Sequence, residues 1–377
     1  MLQIEISMIE ILYYYNIFSC FSMGMTLLLL KTAPRLTDKH YRTGKVFLAV
    51  ATIILALGNA EILWQGIADS VELFSIPVLV ISQLQAALFT FLIFTLFHSP
   101  YVNRRNILRH LTPTIVFTVA YVATVIVCPD VELHSISQYL DNITNPGVIL
   151  RTLFAAVYLV QIAIYVRLYR RERKCYITKI ENYFSDTDKY KLGWASRLFY
   201  QAGGLGVLAL AFCVVPNEAF DIVLTIIITY LYFNFTIQYI NYQYRLFYAL
   251  PAVSHTETPT TELVKETMND KALDEAMNSL TLFRQQGIVL ADYAQALNLS
   301  ERKLSAYINS AYGVSFKRWV NGRRVEYAKE LIAEYPHMTM DVIAEKAGFA
   351  DKSHLSRISR EFTGVPFAEH KKTPKNI

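Results

Sequence analysis

The sequence predicts an all-α protein: a polytopic bundle of seven transmembrane helices over residues 1–250, followed by a soluble domain of short helices. Hydrophobic residues make up 53% of the 377 residues and charged residues only 18%, whereas soluble domains contain about 25% charged residues. The charges are also unevenly distributed, with 34 in the first 250 residues and 33 in the last 127. This composition excludes a soluble cytosolic enzyme, a disordered chain and a collagen-like repeat.

Seven apolar stretches are long enough to cross a bilayer. A spanning helix needs about 20 mostly apolar residues, and in lipid its backbone must satisfy its own hydrogen bonds. The first stretch has no Lys or Arg before it and no small-residue cleavage site after it, so we interpret it as a span and not as a signal peptide. The predicted spans are 9–30, 46–65, 74–97, 111–128, 148–168, 198–215 and 221–241.

The positions of Lys and Arg predict the orientation of these spans. Of the 19 basic residues in the first 250, 18 fall on one side, in 31–45, 98–110, 167–197 and after the last span, and Arg151 is the exception. Lys and Arg concentrate in cytoplasmic loops. The sequence therefore predicts a multi-pass protein of the inner (cytoplasmic) membrane, with its N-terminus outside and its C-terminus in the cytoplasm.

Four polar side chains lie within or at the ends of the predicted spans, where polar groups are costly and often functional. All four fall in the predicted outer half of the membrane. They are candidates for an outward-facing signal pocket in which Glu61 pairs with Arg151. The alternative is that the Glu and Gln side chains bond neighbouring helices and that Arg151 reaches the interface. The four residues are Glu61, Gln83, Gln85 and Arg151.

Residues 251–286 connect the two parts of the chain. The segment 251–261, PAVSHTETPTT, is polar and contains two prolines, which predicts a flexible linker. A connecting helix is predicted from about Thr261 to Gln285 because apolar residues recur at helical spacing. Its apolar face either packs against the next domain or pairs with a second copy as a short dimer helix. The face consists of Leu273, Met277, Leu280 and Phe283.

The last part of the chain has the pattern of two helix-turn-helix units. In the first, residues 290–311, Ser300 is a favourable N-cap for a second helix. A similar pattern recurs over 339–362, where Gly348 permits the turn between the helices. One amphipathic helix over 315–334 joins the two units.

The outward faces of the second helix in each unit are polar and basic. Two such units on one rigid helix enter two successive major grooves on the same face of DNA. Residues 287–377 contain 14 Lys/Arg and 10 Asp/Glu, and this positive excess suits DNA as a partner. The candidate DNA-binding residues are Arg302, Ser305, Ala306, Asn309, Lys352, Ser353, Ser356, Arg357 and Arg360.

Residues 287–371 resemble the double helix-turn-helix DNA-binding domain of AraC/XylS-type transcriptional regulators. The whole chain is similar in topology to the membrane-embedded AraC-type regulators of Bacteroidetes-like bacteria. The motifs that carry the resemblance are Tyr312-Gly313-Val314-Ser315-Phe316, Arg324, Ala328 and Leu331 in the connecting helix, Ile343-Ala344, Gly348-Phe349, Leu355-Ser356-Arg357 and Gly364-Val365.

The resemblance also implies which residues face the bases. Arg bonds guanine in bidentate fashion, although an exposed Arg or Lys contacts phosphate about as often as a base. By position, the base-facing residues are Arg302, Ser305 and Ala306 in the first unit and Lys352, Ser353 and Arg357 in the second. The sequence departs from the family where Ser359 replaces a buried aromatic residue, Phe367 stands in the place of a proline, and His370-Lys371 replaces a Tyr-Arg ending.

The leading functional hypothesis is a membrane-embedded one-component transcriptional regulator. Two alternatives stay open: a transporter or receptor with a regulatory DNA-binding tail, and a tethered transcription factor released by proteolysis in the linker. We expect no enzyme activity, no cofactor and no metal, because the sequence has no P-loop, zinc-ligand spacing or recognisable catalytic group. The expected partners are promoter DNA, a lipid bilayer, a second copy of the chain on DNA, and an unidentified ligand or envelope signal.

Overall fold

The described part of the protein is helical, as the sequence predicts. It contains fifteen α-helices, one 3-10 turn and no β-strand apart from an isolated bridge between two residues. These statements apply to the residues that the computed structural model describes, which are 8–31, 38–65, 72–212, 218–254 and 270–370.

The chain divides into two compact units. The N-terminal unit comprises Met1–Lys174 and Leu192–Tyr248, and the C-terminal unit comprises Cys175–Lys191 and Ala249–Ile377. Residues 175–191 therefore fold with the C-terminal helices although they follow the fifth predicted span. The sequence pattern did not indicate this grouping.

Eight helices begin in the first 254 residues, and seven of them have 20 residues or more. Local signals set several of their ends. For example, the Asn103 side chain accepts a hydrogen bond from the Asn106 amide at 2.9 Å and so caps the fourth helix. The eight are α1 (Met8–Leu29), α2 (Lys39–Gln65), α3 (Ile76–Leu96), α4 (Arg104–Val127), α5 (Ile136–Asp141), α6 (Pro146–Tyr183), α7 (Gly193–Phe212) and α8 (Glu218–Ser254).

Six described helices are long and apolar enough to cross a membrane, by length and composition: α1, α2, α3, α4, α6 and α8. The exception among the long helices is α7, which corresponds to the predicted span 198–215. Its first half contains Arg197 and Gln201, and residues 213–217 lie outside the described part of the chain. The count of seven spans therefore stays a prediction.

Large apolar side chains cover the outside of these helices. Phe18, Trp64, Val119 and Ile126 are between 63% and 91% exposed. Water-soluble proteins rarely expose so much apolar surface, and lipid tails would cover it in a bilayer. The apolar helices are thus compatible with a membrane-embedded protein that carries a soluble helix-turn-helix tail.

The C-terminal unit contains seven further α-helices, which are short except for the central one. Its second half is packed around a fully buried cluster that includes Ile343, Phe349, Leu355 and Phe367. The helices are α9 (Asp270–Ser279), α10 (Leu290–Ala296), α11 (Glu301–Tyr312), α12 (Phe316–Glu334), α13 (Met340–Lys346), α14 (Lys352–Thr363) and α15 (Phe367–His370), with a 3-10 turn at Leu282–Arg284.

The predicted connection over 251–286 differs from the structure at both ends. Helix α8 continues through Pro251 to Ser254, so the first four residues of the predicted linker are helical, and 255–269 lie outside the described residues. The connecting helix ends at Ser279 and not at Gln285. After that end, the chain forms the 3-10 turn, and the carbonyl groups of Phe283 and Gln285 bond an arginine of α12.

Candidate DNA-binding surface and transmembrane polar residues

Helices α10 and α11 form the first helix-turn-helix. Between them Asn298 adopts a left-handed backbone with φ of 52°. The Ser300 hydroxyl then accepts a hydrogen bond from the Lys303 amide at 3.3 Å, which starts α11 as the sequence predicts. Leu304 and Ile308 are fully buried. Their burial fixes which face of α11 points outward.

Helices α13 and α14 repeat this arrangement. Gly348 turns the chain with φ of 83°, and the Asp351 carboxylate accepts a hydrogen bond from the His354 amide at 2.7 Å. Leu355 and Ile358 are buried on the inner face of α14. The two second helices, α11 and α14, are each 12 residues long, and we call them the recognition helices.

Both recognition helices also end in the same way. Gly313 and Gly364 adopt left-handed backbones with φ of 66° and 82° at their C-termini, a conformation that glycine adopts without a steric penalty. The Ser315 hydroxyl then accepts from the Arg318 amide and begins α12. The internal repeat seen in the sequence is therefore a repeat of capped helices.

The nine predicted DNA-binding residues lie on the outward faces of α11 and α14. None of them is buried, because the inward positions of both helices are taken by apolar residues. The exposed residues are Arg302, Ala306, Asn309, Lys352, Ser353, Arg357 and Arg360, and the half-buried ones are Ser305 and Ser356.

Two basic residues of α14 are paired with carboxylates. Lys352 Nζ lies 3.2 Å from Asp341 Oδ2, and a terminal guanidinium nitrogen of Arg357 lies 3.4 Å from Asp188 Oδ2. All four side chains are more than half exposed. Surface pairs of this kind are weak, so both cations are available to exchange partners.

Arg324 has a structural role and does not face outward. It is 1% exposed, and its guanidinium donates hydrogen bonds to the carbonyl oxygens of Phe283 and Gln285 at 2.6 and 2.7 Å. Burial lowers the pKa of Arg324 to about 10, which still leaves it charged at neutral pH. It ties the 3-10 turn to the middle of α12.

The departures from the AraC-type pattern are accommodated within the core of the second unit. Ser359 is fully buried, and its hydroxyl donates a hydrogen bond to the Val365 carbonyl at 3.1 Å. Phe367 is also fully buried and belongs to the cluster around α13 and α14.

Residues 181–191 form a segment that packs on the helix-turn-helix units; we call it the docked segment. Ser185 is buried, and both its amide and its hydroxyl donate to the Ile288 carbonyl, at 3.3 and 2.7 Å. Phe184 forms the isolated antiparallel bridge with Val289. Sequence reasoning assigned these residues only to a cytoplasmic loop, because no local pattern reveals a contact over a hundred residues.

In the N-terminal unit, three of the four predicted pocket residues form hydrogen bonds with different partners. The Glu61 carboxylate accepts from Gln65 on the same helix. The Gln83 amide donates to Gln161 of α6. The Gln85 amide donates to the Ala51 carbonyl of α2 at 2.8 Å, and its oxygen accepts from Tyr232 of α8. The contacts of Gln83 and Gln85 are the helix-to-helix hydrogen bonds of the alternative interpretation, whereas the contact of Glu61 stays within α2.

The predicted pairing of Glu61 with Arg151 is wrong. Arg151 is fully buried and donates to the carboxylates of Glu72 and Asp130 and, at 2.8 Å, to the Val131 carbonyl. Both acids lie in segments between predicted spans, where span-based reasoning did not search for partners. An arginine with a fully buried side chain needs such compensation, because an unpaired buried charge is costly.

Comparison with known proteins bears on the C-terminal unit. Residues 293–373 match a family described as a helix-turn-helix domain. The match begins within α10 and extends past α15, so it includes both recognition helices. It agrees with the predicted AraC-type helix-turn-helix regulator, and with the prediction that the protein is not an enzyme.

Curated relatives match about a quarter of the chain. Uncharacterized HTH-type transcriptional regulators of Staphylococcus aureus strains MSSA476 and N315 are each 27% identical over 96 residues. That stretch is 26% of this chain and 13% of each relative, so the chain spans a small part of the relatives' length. No solved structure gives a significant match.

Proposed function

We propose that this chain is a membrane-embedded one-component transcriptional regulator. Its C-terminal unit binds promoter DNA, and the helices of its N-terminal unit sense a signal that controls the binding. The observation that supports this most directly is the pair of equivalent recognition helices, α11 and α14, on one chain with six long apolar helices.

The arrangement of the C-terminal unit supports sequence-specific DNA binding. Each recognition helix is held by buried leucine and isoleucine side chains and presents Arg, Lys and Ser outward, and α11 also presents Asn309. Arg302 in α11 and Arg357 in α14 are the residues best suited to bidentate bonds with guanine. The connecting helix α12 keeps the two units at a constant separation, which suits successive major grooves.

The N-terminal unit supports the sensing role. Its long helices expose large apolar side chains, which suits lipid on all sides. With the N-terminus outside and the C-terminus in the bacterial cytoplasm, the outer ends of these helices meet the envelope while the recognition helices meet DNA. We infer that two copies pair on DNA, since a regulator of this kind reads two half-sites at a defined spacing.

Genome-wide chromatin capture of the intact protein tests this function. We expect a discrete set of promoter peaks that changes with envelope conditions. In the double variant Arg302→Ala/Arg357→Ala the peaks should disappear while the amount of protein in the membrane fraction stays the same. Promoter peaks that persist in the double variant, or a wild type without peaks under every condition, would contradict the proposal.

Arg302→Ala should weaken binding of the operator duplex by about 1–3 kcal/mol and relax the preference at one base pair, because one bidentate contact is lost. The measurement is a titration of duplexes that carry each base at each position. Lys329→Ala is the control, since Lys329 pairs with Glu326 on α12 at 2.9 Å. Equal weakening on every duplex would instead assign Arg302 to a phosphate.

A further inference from the structure

The docked segment, residues 181–191, forms charged pairs with the connecting helix α12 and with the recognition helix α14 of the second unit. Glu181 Oε1 lies 3.0 Å from Lys317 Nζ, in the first turn of the connecting helix α12. Asp188 Oδ2 lies 3.4 Å from the guanidinium of Arg357, on the outward face of the recognition helix α14. Two of the three acids of the segment, Glu181 and Asp188, thus face a cation of the helix-turn-helix domain.

Buried side chains hold the segment in this position. Phe184, Ser185 and Thr187 are each 5% exposed or less, and the Phe184 ring stacks on Tyr190 with centroids 4.1 Å apart. The bonds from Ser185 to the Ile288 carbonyl lie just before α10. The backbone that carries Asp188 toward α14 is therefore held in place by buried side chains and hydrogen bonds.

The Asp188 carboxylate lies on the face of α14 that the proposed function assigns to DNA. Its hydrogen bond with Lys191, at 2.7 Å, lowers its pKa, so it is charged at neutral pH. A carboxylate against the outward face of α14 would meet the phosphates or base acceptors that approach Arg357. When DNA is absent, the Asp188 carboxylate attracts the Arg357 guanidinium. When DNA approaches, the same negative charge repels its phosphates.

We propose that residues 181–191 are an autoinhibitory segment, in which Asp188 holds Arg357 in an ion pair that must break before the second recognition helix binds DNA. This inference rests on the proposed function, because it assumes that α14 is a DNA-binding helix. The inference goes beyond that function because it names the residues that restrain α14.

The position of the segment in the chain suits a regulatory contact. It joins the end of α6 to the start of α7. A change in either of these helices is therefore passed covalently to Asp188 through the few residues between them. A weak pair suits this purpose, since a signal that supplies a few kilocalories per mole of coupling energy is enough to break it.

The test measures DNA affinity of the full-length chain in lipid nanodiscs. A pool of random duplexes is enriched separately by the wild type and by Asp188→Asn, and the dissociation constants of the enriched duplexes are measured by fluorescence anisotropy. We expect Asp188→Asn to bind about two- to fivefold more tightly than the wild type, the range expected for losing one exposed ion pair. The variant is isosteric and changes an exposed residue.

Two controls separate the ion pair from a general change of charge. Glu330→Gln removes one negative charge from an exposed position of α12 and should leave the affinity unchanged. In an Arg357→Gln background, Asp188→Asn should give no gain, because its partner is already absent. A gain that persists in this background would show that the effect does not pass through Arg357, and would overturn the inference.

The outcomes also separate this inference from the proposed function. If the wild type enriches duplexes and Asp188→Asn binds them no more tightly, the proposal that residues 181–191 are autoinhibitory is wrong. The proposed DNA-binding function then stands. If neither protein enriches any duplex, the proposed function fails and the inference fails with it.

Discussion

At the scale of single residues, the C-terminal unit depends on a buried cation whose partners are distant in the chain. Arg324 bonds carbonyl oxygens 41 and 39 residues earlier. In the sequence it is one of several basic residues of the connecting helix, and it was recognised only as part of a family motif. Burial distinguishes it from the exposed Arg318 of the same helix.

Arg324→Met should destabilise the C-terminal unit by about 2–5 kcal/mol, because two buried carbonyl groups lose their donors. Hydrogen exchange of peptides that cover 280–290 in the full-length chain measures this loss. Arg318→Met is the matched control, since Arg318 forms an exposed pair with Glu361 at 3.3 Å and lies over the Phe362 ring, 4.9 Å from its centroid. The loss of these two surface contacts should cost about 1 kcal/mol. Equal effects of the two variants would show that the buried bonds contribute little.

Arg151 and Glu61 were predicted as partners, and the structure gives them different roles. Arg151→Gln leaves Glu72 and Asp130 without their cation and should lower the stability of the N-terminal unit by roughly 3–5 kcal/mol. Glu61→Gln should change stability little, because Glu61 bonds only Gln65 of its own helix among the described contacts.

Thermal unfolding of the detergent-solubilised protein compares the two variants, and a promoter fusion reports whether each still responds to signal. A normal melting temperature together with lost induction in Arg151→Gln would assign Arg151 to a signal pocket. A lowered melting temperature would assign it to the fold.

At the scale of elements, the start and end signals of the short helices are legible in the sequence. Ser300 was recognised as an N-cap and Gly348 as a turn residue, and the structure confirms both. The end of the connecting helix was placed too late. Its apolar spacing continues to Phe283, but the helix ends at Ser279, and Phe283 lies in the 3-10 turn, where its carbonyl accepts a hydrogen bond from Arg324.

Gly348→Ala should be much more destabilising than Gly313→Ala. Both glycines have positive φ, so each substitution carries a backbone penalty of about 1 kcal/mol. A Cβ at Gly348 would also lie 2.6 Å from the Arg284 carbonyl oxygen and 2.7 Å from that of Phe283, whereas a Cβ at Gly313 meets no described atom within 4 Å.

We therefore expect Gly348→Ala to cost about 2–4 kcal/mol, the backbone penalty plus the cost of displacing the 3-10 turn. Urea unfolding followed by hydrogen exchange in peptides of α13 and α14 checks the difference. Similar unfolding midpoints for the two variants would mean that the 3-10 turn moves aside without a loss of stability.

At the scale of the whole molecule, the charge asymmetry of the loops leads to a topology prediction. Reporters fused after residues 138 and 218 should be extracytoplasmic, and reporters after 105 and 180 should be cytoplasmic, because 18 of the 19 basic residues before 251 lie on one side. Enzymatic reporters active on only one side of the membrane give the measurement.

The fusions at 180 and 218 flank α7, the helix that is not apolar enough to count as a span by composition. Finding both on the same side would remove α7 from the spans. It would also place α8 in the opposite direction and the recognition helices outside the cytoplasm, which would contradict the proposed function.

The sequence alone determined the fold class, the apolar helices and the two helix-turn-helix units of this protein. Each of these depends on periodicity, composition or capping residues, and such signals act over a few turns of chain. Only the tertiary structure decided the partners of Arg151, the burial of Arg324 and the grouping of residues 175–191 with the C-terminal unit. These depend on contacts between segments far apart in sequence, where a charged side chain takes whichever partner the packing of the helices brings within reach.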